Sequence, residues 1–122
     1  MVTFNKYNFD DILVLQSKLD LENKYLYLEM DGCNDDRPSN DIHIIEIKSW
    51  EDWQSNSVGK VNKVFNHIDP QIEMIINSEK DEKTKSLKLI IMCKDSAYFE
   101  IKIQKPSIIV KKENVVLWED IP

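Results

Sequence analysis

The sequence predicts an α+β fold, an antiparallel sheet of about five to seven strands with two helices packed on one face. Two observations predict this fold class. Apolar residues recur at helical spacing in two early segments of the chain. After Pro70 they alternate with polar residues, and the short connections between these runs allow hairpins but not parallel crossovers. Helices early and a meander of strands late are typical of this class.

The two helices are predicted from apolar spacing and from capping residues. The first covers about residues 8–19, where apolar side chains recur at intervals of three and four. The second begins near Trp50, since a serine precedes that residue and two acids follow it, as in a capped first turn. Poor helix formers at residues 54–59 predict an interruption. Pro70 disfavours helical geometry just before itself and ends the second helix.

Seven strands are predicted from short runs of β-branched and aromatic residues. At residues 98–104 apolar side chains alternate with polar ones, as in an antiparallel sheet with one face in water. The first two strands flank an acidic loop at residues 31–41 and are expected to pair, and the charged run at 78–85 predicts a solvated loop. The sequence shows no internal repeat. The predicted strands lie at about residues 24–30, 42–48, 72–77, 87–94, 98–104, 108–111 and 115–118.

Length and charge limit the class of protein. A chain of 122 residues predicts one domain, residues 1–122, because two would leave neither half a sufficient core. The apolar fraction of 42% is too high for a disordered chain. A net charge of −6 disfavours nucleic acid and anionic membrane as partners and favours a basic protein.

The sequence predicts a cytoplasmic protein with reduced cysteines. Its first residues lack the basic start and apolar run of a secretory signal, and no apolar stretch approaches the ~20 residues that span a bilayer. Cys33 and Cys93 form no CxxC pattern and no disulfide framework. Cys93 is expected in the core and Cys33 in an exposed loop.

The sequence predicts no cofactor, no metal and no small-molecule substrate. Two glycines are too few for a phosphate-binding loop or a dinucleotide fingerprint. His43 and His67 lack the spacing of a zinc site; His43 is expected on a strand face and His67 near the end of the second helix. No nucleophile with a nearby base is evident.

One enzyme alternative stays open. Asp31 at a strand end, followed by Glu46 and Lys48 on the next strand, resembles the core of PD-(D/E)xK nucleases. The resemblance implies two carboxylates on a divalent metal and a lysine that positions water. The same tripeptide spacing recurs at residues 100–102, where it marks the wet face of a strand, so the pattern has little specificity.

Acids beside tryptophans predict a protein-binding surface. Aromatic residues near charged ones are common in tight protein interfaces. The alternative is that Trp50 and Trp53 are core residues and that the acids only solvate a loop. The residues predicted to bind a partner are Asp31, Asp35, Asp36, Asp41, Glu51, Asp52 and Trp53.

Small size, acidity and the lack of catalytic motifs resemble the immunity proteins that protect bacteria from contact-delivered or colicin-type toxins. The segment at residues 49–53, SWEDW, is the one suggestive string, and the resemblance carries over no family binding positions. It implies a cytoplasmic inhibitor whose acidic surface occupies the basic cleft of a toxin, in particular a nuclease. A structural or adaptor domain that binds through a sheet edge or face is the alternative.

Overall fold

The computed structural model describes residues 4–33, 39–59 and 63–120, and within these ranges the fold is nearly all β. The one helical element there is a 3-10 turn, Phe4–Lys6. The nine strands are β1 (Ile12–Asp20), β2 (Tyr25–Cys33), β3 (Ser39–Lys48), β4 (Asp52–Val58), β5 (Ile72–Asp81), β6 (Ser86–Cys93), β7 (Tyr98–Gln104), β8 (Ser107–Lys112) and β9 (Val115–Asp120). No helix in the described ranges is long and apolar enough to cross a membrane.

The nine strands form one antiparallel sheet in the order β4-β7-β6-β5-β1-β2-β3-β8-β9. Strand β1 joins the two halves of the sheet, because Ile12 and Leu13 pair with β5 whereas residues from Val14 onward pair with β2. A β-bulge follows Val14 and shifts the register there. The sheet folds back on itself, because Lys80 on β5 contacts Asp120 on β9 although four strands separate β5 from β9 in the order. We call the halves β4-β7-β6-β5 and β2-β3-β8-β9 its two layers.

The core lies between the inward faces of these two layers. In β6 and β7 every second residue is buried, as the period of two in a strand requires. Burial of each such large apolar side chain contributes about 1.5 to 3 kcal/mol. The fully buried large side chains include Phe4, Phe9, Leu26, Leu28, Met30, Ile45, Ile47, Ile75, Leu87, Leu89, Ile91, Ile101, Ile103 and Ile108.

The chain forms two meanders, β1-β2-β3 and β5-β6-β7. The strand that follows each meander in sequence pairs with the last strand of the other meander. Strand β4 crosses from β3 to pair with β7, and β8 crosses from β7 to pair with β3. The crossings are alike: Ser49 and Lys105 both have positive φ and donate N–H groups to the carbonyls of Lys24 and Lys85, both at 3.0 Å. The topology is therefore repeated, although the sequence shows no repeat.

The predicted α+β fold with two helices is wrong. Residues 8–19 form a loop and then β1, in which Ile12 and Val14 are buried and Leu13 and Leu15 are exposed. Buried and exposed residues therefore alternate one by one, as in a strand, and do not follow the helical spacing that the sequence suggested. Long-range pairing with two strands on opposite sides overrides the local preference for helix.

The second predicted helix is a strand at Asp52–Val58 and a loop from residue 63 to Pro70, and residues 60–62 of it lie outside the described residues. Residues from Asp52 to Val58 pair one by one with β7, and Trp53, Ser55 and Ser57 are partly buried while their neighbours are exposed. Ser49, which the sequence assigns to a helix cap, has a φ of 57° and turns the chain from one layer to the other. The poor helix formers in this segment are consistent with the absence of a helix there.

The seven predicted strands are all present, and the predicted pairing of the first two is confirmed as β2 with β3. Several finer predictions fail. The charged run at 78–85 continues β5 as far as Asp81, and Lys80 is buried within it. Cys33 is buried like Cys93, so only the prediction for Cys93 holds. His43 is buried on β3, and His67 is exposed in a loop rather than at a helix end.

The segment before β1 packs between β5 and β9. The Asn5 side-chain amide donates a hydrogen bond to the carbonyl of Lys80 at 2.8 Å and accepts one from the backbone N–H of Lys80 at 2.7 Å. The Tyr7 hydroxyl donates to the carbonyl of Leu117 at 3.3 Å, and the Phe4 ring lies 6.0 Å from that of Trp118. The segment therefore links two strands that do not pair with each other.

Candidate binding surface

A row of apolar side chains crosses the outer face of the β4-β7-β6-β5 layer and ends on β1. Its members are consecutive cross-strand partners, since Leu13 pairs with Met74, Met74 with Met92, Met92 with Tyr98, and Tyr98 with Val58. We call these residues the apolar row. Leu13 is 45% exposed, Val58 44% and Tyr98 42%, and the two methionines are partly exposed.

The row has the size and the composition of a contact surface. Five adjacent strands spaced about 4.8 Å apart give it a length of roughly 20 Å. Exposed apolar side chains that stand singly need no explanation, whereas contiguous ones mark interaction sites. Methionine suits such a site, because its flexible thioether adapts to a partner.

Polar rows adjoin the apolar row on the same face. The next row includes Glu100 and Ile90, which pair with each other. One row further, Lys102 pairs with Lys88, and the Lys102 ammonium lies 3.4 Å from a Glu100 carboxylate oxygen. The apolar character therefore ends within one or two rows of Met92.

Carboxylates border the apolar row at its β1 end. Asp11 is exposed and lies two residues before Leu13. Val14 pairs with Met30 in the antiparallel register of β1 and β2. Leu13, the residue before Val14, therefore lies beside Asp31, the residue after Met30. Asp31, also exposed, pairs with Ile42, the residue after Asp41. Asp41 belongs to the opposite face of β3, because successive residues of a strand point to opposite faces. We call Asp11 and Asp31 the acidic border.

Asp41 lies on the other face of the sheet from the apolar row. It forms an ion pair with Lys112, the cross-strand partner of the buried His43, at 2.7 Å, and its carbonyl is 2.8 Å from Nδ1 of His43. Ile42 is 41% exposed and shares its face with Asp31, its partner on β2.

The residues predicted to bind a partner do not form one surface. Asp31 belongs to the acidic border, whereas Asp41 lies near it on the opposite face of β3. Glu51, Asp52 and Trp53 follow the other end of β3, about 20 Å away along the strand. Asp35 and Asp36 lie outside the described residues.

Glu51 lies in basic surroundings. It lines an open cleft of about 780 Å³ together with Lys83, Lys85 and Lys105, and its carboxylate is 3.5 Å from the Lys105 ammonium. Asp52 is exposed at the start of β4, where it pairs with Gln104. These two acids are therefore separated from Asp31 and Asp41, and lysines surround one of them.

Trp53 and Trp50 belong to an aromatic cluster. Their ring centroids are 5.0 Å apart, and Phe65 lies 6.5 Å from Trp53 and 5.2 Å from Phe99. Trp50 is buried and Trp53 partly buried. The Trp53 Nε1–H is buried and has no hydrogen-bond partner within the described part of the chain. The core interpretation of the tryptophans fits this packing.

The nuclease pattern is not assembled. Glu46 pairs with Tyr27 on β2, whereas Asp31 lies four residues further along β2, about 13 Å away. Lys111 binds Glu46 at 2.6 Å, and this hydrogen bond raises the pKa of Lys111. Over residues 4–33, 39–59 and 63–120, no group of three or more histidine, cysteine or acidic residues is placed to hold a metal ion.

Comparison with protein-family models, curated proteins and solved structures found no match. The candidate surface therefore depends on geometry alone. Sequence reasoning missed the apolar row because it assigned Leu13 and Val58 to helices. It identified the strands that carry Met74, Met92 and Tyr98, but the pairing that aligns them is set by register across long sequence separations.

Proposed function

We propose that this protein is a protein-binding inhibitor of the immunity type, which binds a basic protein partner, a toxin domain, through the apolar row and the acidic border. The observation that carries the proposal is the apolar row, five exposed or partly exposed cross-strand partners in register. Contiguous exposed apolar side chains are more common at interaction sites than elsewhere on a protein surface.

Charge supports a basic partner. The chain carries a net charge of −6, and the acidic border places carboxylates next to apolar contacts. Complementary charge accelerates association, and a desolvated apolar contact slows dissociation. In a nuclease toxin, these carboxylates would occupy positions that substrate phosphates take. Cys33 and Cys93 form no disulfide, which is consistent with action in the cytoplasm.

The first test is a tagged capture from a lysate of the source organism at low and high salt, with mass spectrometry of the bound fraction. We expect one basic protein, retained into high salt, whose activity this chain inhibits. Met92→Lys places a cation in the middle of the apolar row and is expected to weaken binding at least tenfold, about 1.4 kcal/mol.

Ile109→Lys is the matched control for Met92→Lys. Ile109 is a partly buried, outward-facing residue of β8 in the other layer, so the same charge is added away from the apolar row. Equal loss of binding in both variants would contradict the proposed surface. A partner that binds without losing any activity would favour the adaptor function over inhibition.

A further inference from the structure

A basic cleft lies at the end of the molecule where the chain crosses between the two layers. Its volume is about 780 Å³, and it is lined by Lys83, Lys85 and Lys105 together with two serines, a threonine and one acid, Glu51. We call this site the basic cleft. Its three lysines outnumber its single acid, so its charge is opposite in sign to the net charge of −6 of the whole chain.

Backbone hydrogen bonds hold the walls of the basic cleft together. The Lys105 N–H donates to the carbonyl of Lys85 at 3.0 Å, and the Glu51 N–H donates to the carbonyl of Gln104 at 2.9 Å. These bonds join the β5–β6 turn and the two crossing segments. The cleft is therefore preformed, as ligand sites usually are.

The acids of the β5–β6 turn are engaged outside the basic cleft. Asp81 Oδ1 accepts a hydrogen bond from the backbone N–H of Lys83 at 2.9 Å, and Glu82 binds the buried Lys80 ammonium at 3.1 Å. Among the described residues, neither Lys83 nor Lys85 has an acidic partner for its ammonium group. Their charges are therefore available to a ligand.

Glu51 offsets the third lysine only weakly. Its carboxylate lies 3.5 Å from the Lys105 ammonium, and the two side chains are 64% and 52% exposed. Ion pairs as exposed as this one contribute little. A stronger anion would therefore displace Glu51 from Lys105 at small cost.

We propose that the basic cleft binds a small molecule that carries two or more phosphate groups. Lysine ammonium groups bind phosphate as point charges. A phosphate monoester carries about −1.5 to −2 charges at neutral pH, more than a carboxylate, so it gains more from each lysine. The hydroxyl groups of Ser49 and Ser107 belong to the same lining and can donate hydrogen bonds to phosphate oxygens.

The charge outside the basic cleft favours a small ligand over nucleic acid. A long polyanion would continue past the cleft across a surface with the negative charge of the rest of the chain, beginning with the exposed Asp52 next to Glu51. A ligand contained in the cleft interacts mainly with the nearby lysines, because charges beyond about 8 Å are screened at physiological salt.

The basic cleft is separate from the apolar row, so this inference does not depend on the proposed function. The cleft adjoins the ends of β6 and β7 where Ser86 pairs with Gln104, whereas the apolar row crosses these strands where Met92 pairs with Tyr98. The two pairs are about 20 Å apart along the strands.

The test is isothermal titration calorimetry of the wild-type chain with inorganic tripolyphosphate. We expect one saturable site whose affinity falls as salt is added. The double variant Lys83→Gln with Lys85→Gln is expected to weaken binding about tenfold or more. The control, Lys63→Gln with Lys94→Gln, removes equal charge at exposed positions near the opposite ends of the strands and is expected to bind like the wild type.

Glu51→Gln tests the proposal in the opposite direction. It removes the acid that competes for Lys105 and is expected to strengthen tripolyphosphate binding, which damage to the fold would not do. Absence of saturable binding, or equal loss in the two double variants, overturns the proposal. Citrate that binds as tightly as tripolyphosphate overturns the assignment to phosphate, and an RNA oligonucleotide that binds more tightly overturns the assignment to a small ligand.

Discussion

Lys80 is a buried lysine whose charge is neutralised by its surroundings. Its ammonium is hydrogen-bonded to carboxylates of Asp120 and of Glu82, the latter at 3.1 Å, and lies 5.8 Å from the Trp118 ring centroid. Burial alone would lower the pKa of Lys80, but the hydrogen bonds to Asp120 and Glu82 outweigh burial and raise the pKa above 10.5. The charged lysine therefore stabilises the fold.

Asp120→Asn is expected to lower the free energy of unfolding by about 1 to 3 kcal/mol, because it leaves a buried ammonium with one carboxylate fewer. Lys80→Met is expected to cost less, within about 1 kcal/mol, since its two former partners are partly exposed and can be hydrated. Urea unfolding measures both. A larger loss in Lys80→Met than in Asp120→Asn would contradict this account.

The pH dependence follows from the raised pKa of Lys80. A group with a raised folded-state pKa contributes stability that is present below its unfolded pKa and is lost as pH rises through the folded pKa. The contribution of Lys80 is therefore constant at neutral pH and is lost only in alkaline solution, as the pH rises through the raised pKa of Lys80.

At the scale of elements, the segment before β1 is expected to hold β9 in place. Phe4→Ala removes a fully buried ring that lies 6.1 Å from Phe9 and 6.0 Å from Trp118, and should cost about 3 to 5 kcal/mol. Hydrogen exchange should then accelerate most in β9. Leu15→Ala, at an exposed position, is the control and should change stability by less than about 0.5 kcal/mol. Uniform acceleration in all strands would contradict this role.

The same scale shows what the sequence can predict. Strands such as β6 and β7 are predicted correctly because their apolar alternation reports one buried face. Strand β1 is mispredicted because both of its faces carry apolar residues, so Phe9, Ile12, Leu13 and Leu19 imitate helical spacing. Strand β4 is mispredicted because its inward serines carry no apolar signal.

The candidate surface is predicted only in part, because the rest of it depends on how strands distant in sequence are arranged in the whole molecule. The acids Asp31 and Asp41 are recognisable from local composition, and the structure places Asp31 at the border of the apolar row. The row itself depends on the crossing of β4 to β7 and on the register shifts between β5 and β6, which no local pattern specifies. Glu51 and Asp52 seemed part of the same acidic cluster only because they follow it in sequence.

The measurement that tests the central claim most directly is a methyl spectrum of the methionine-labelled protein, titrated with the captured basic partner. Met74 and Met92 lie on the apolar row, whereas Met30 is fully buried in the core. We expect the signals of Met74 and Met92 to shift or broaden on binding and the signal of Met30 to stay in place. Binding that leaves Met74 and Met92 unchanged would show that the partner contacts another surface.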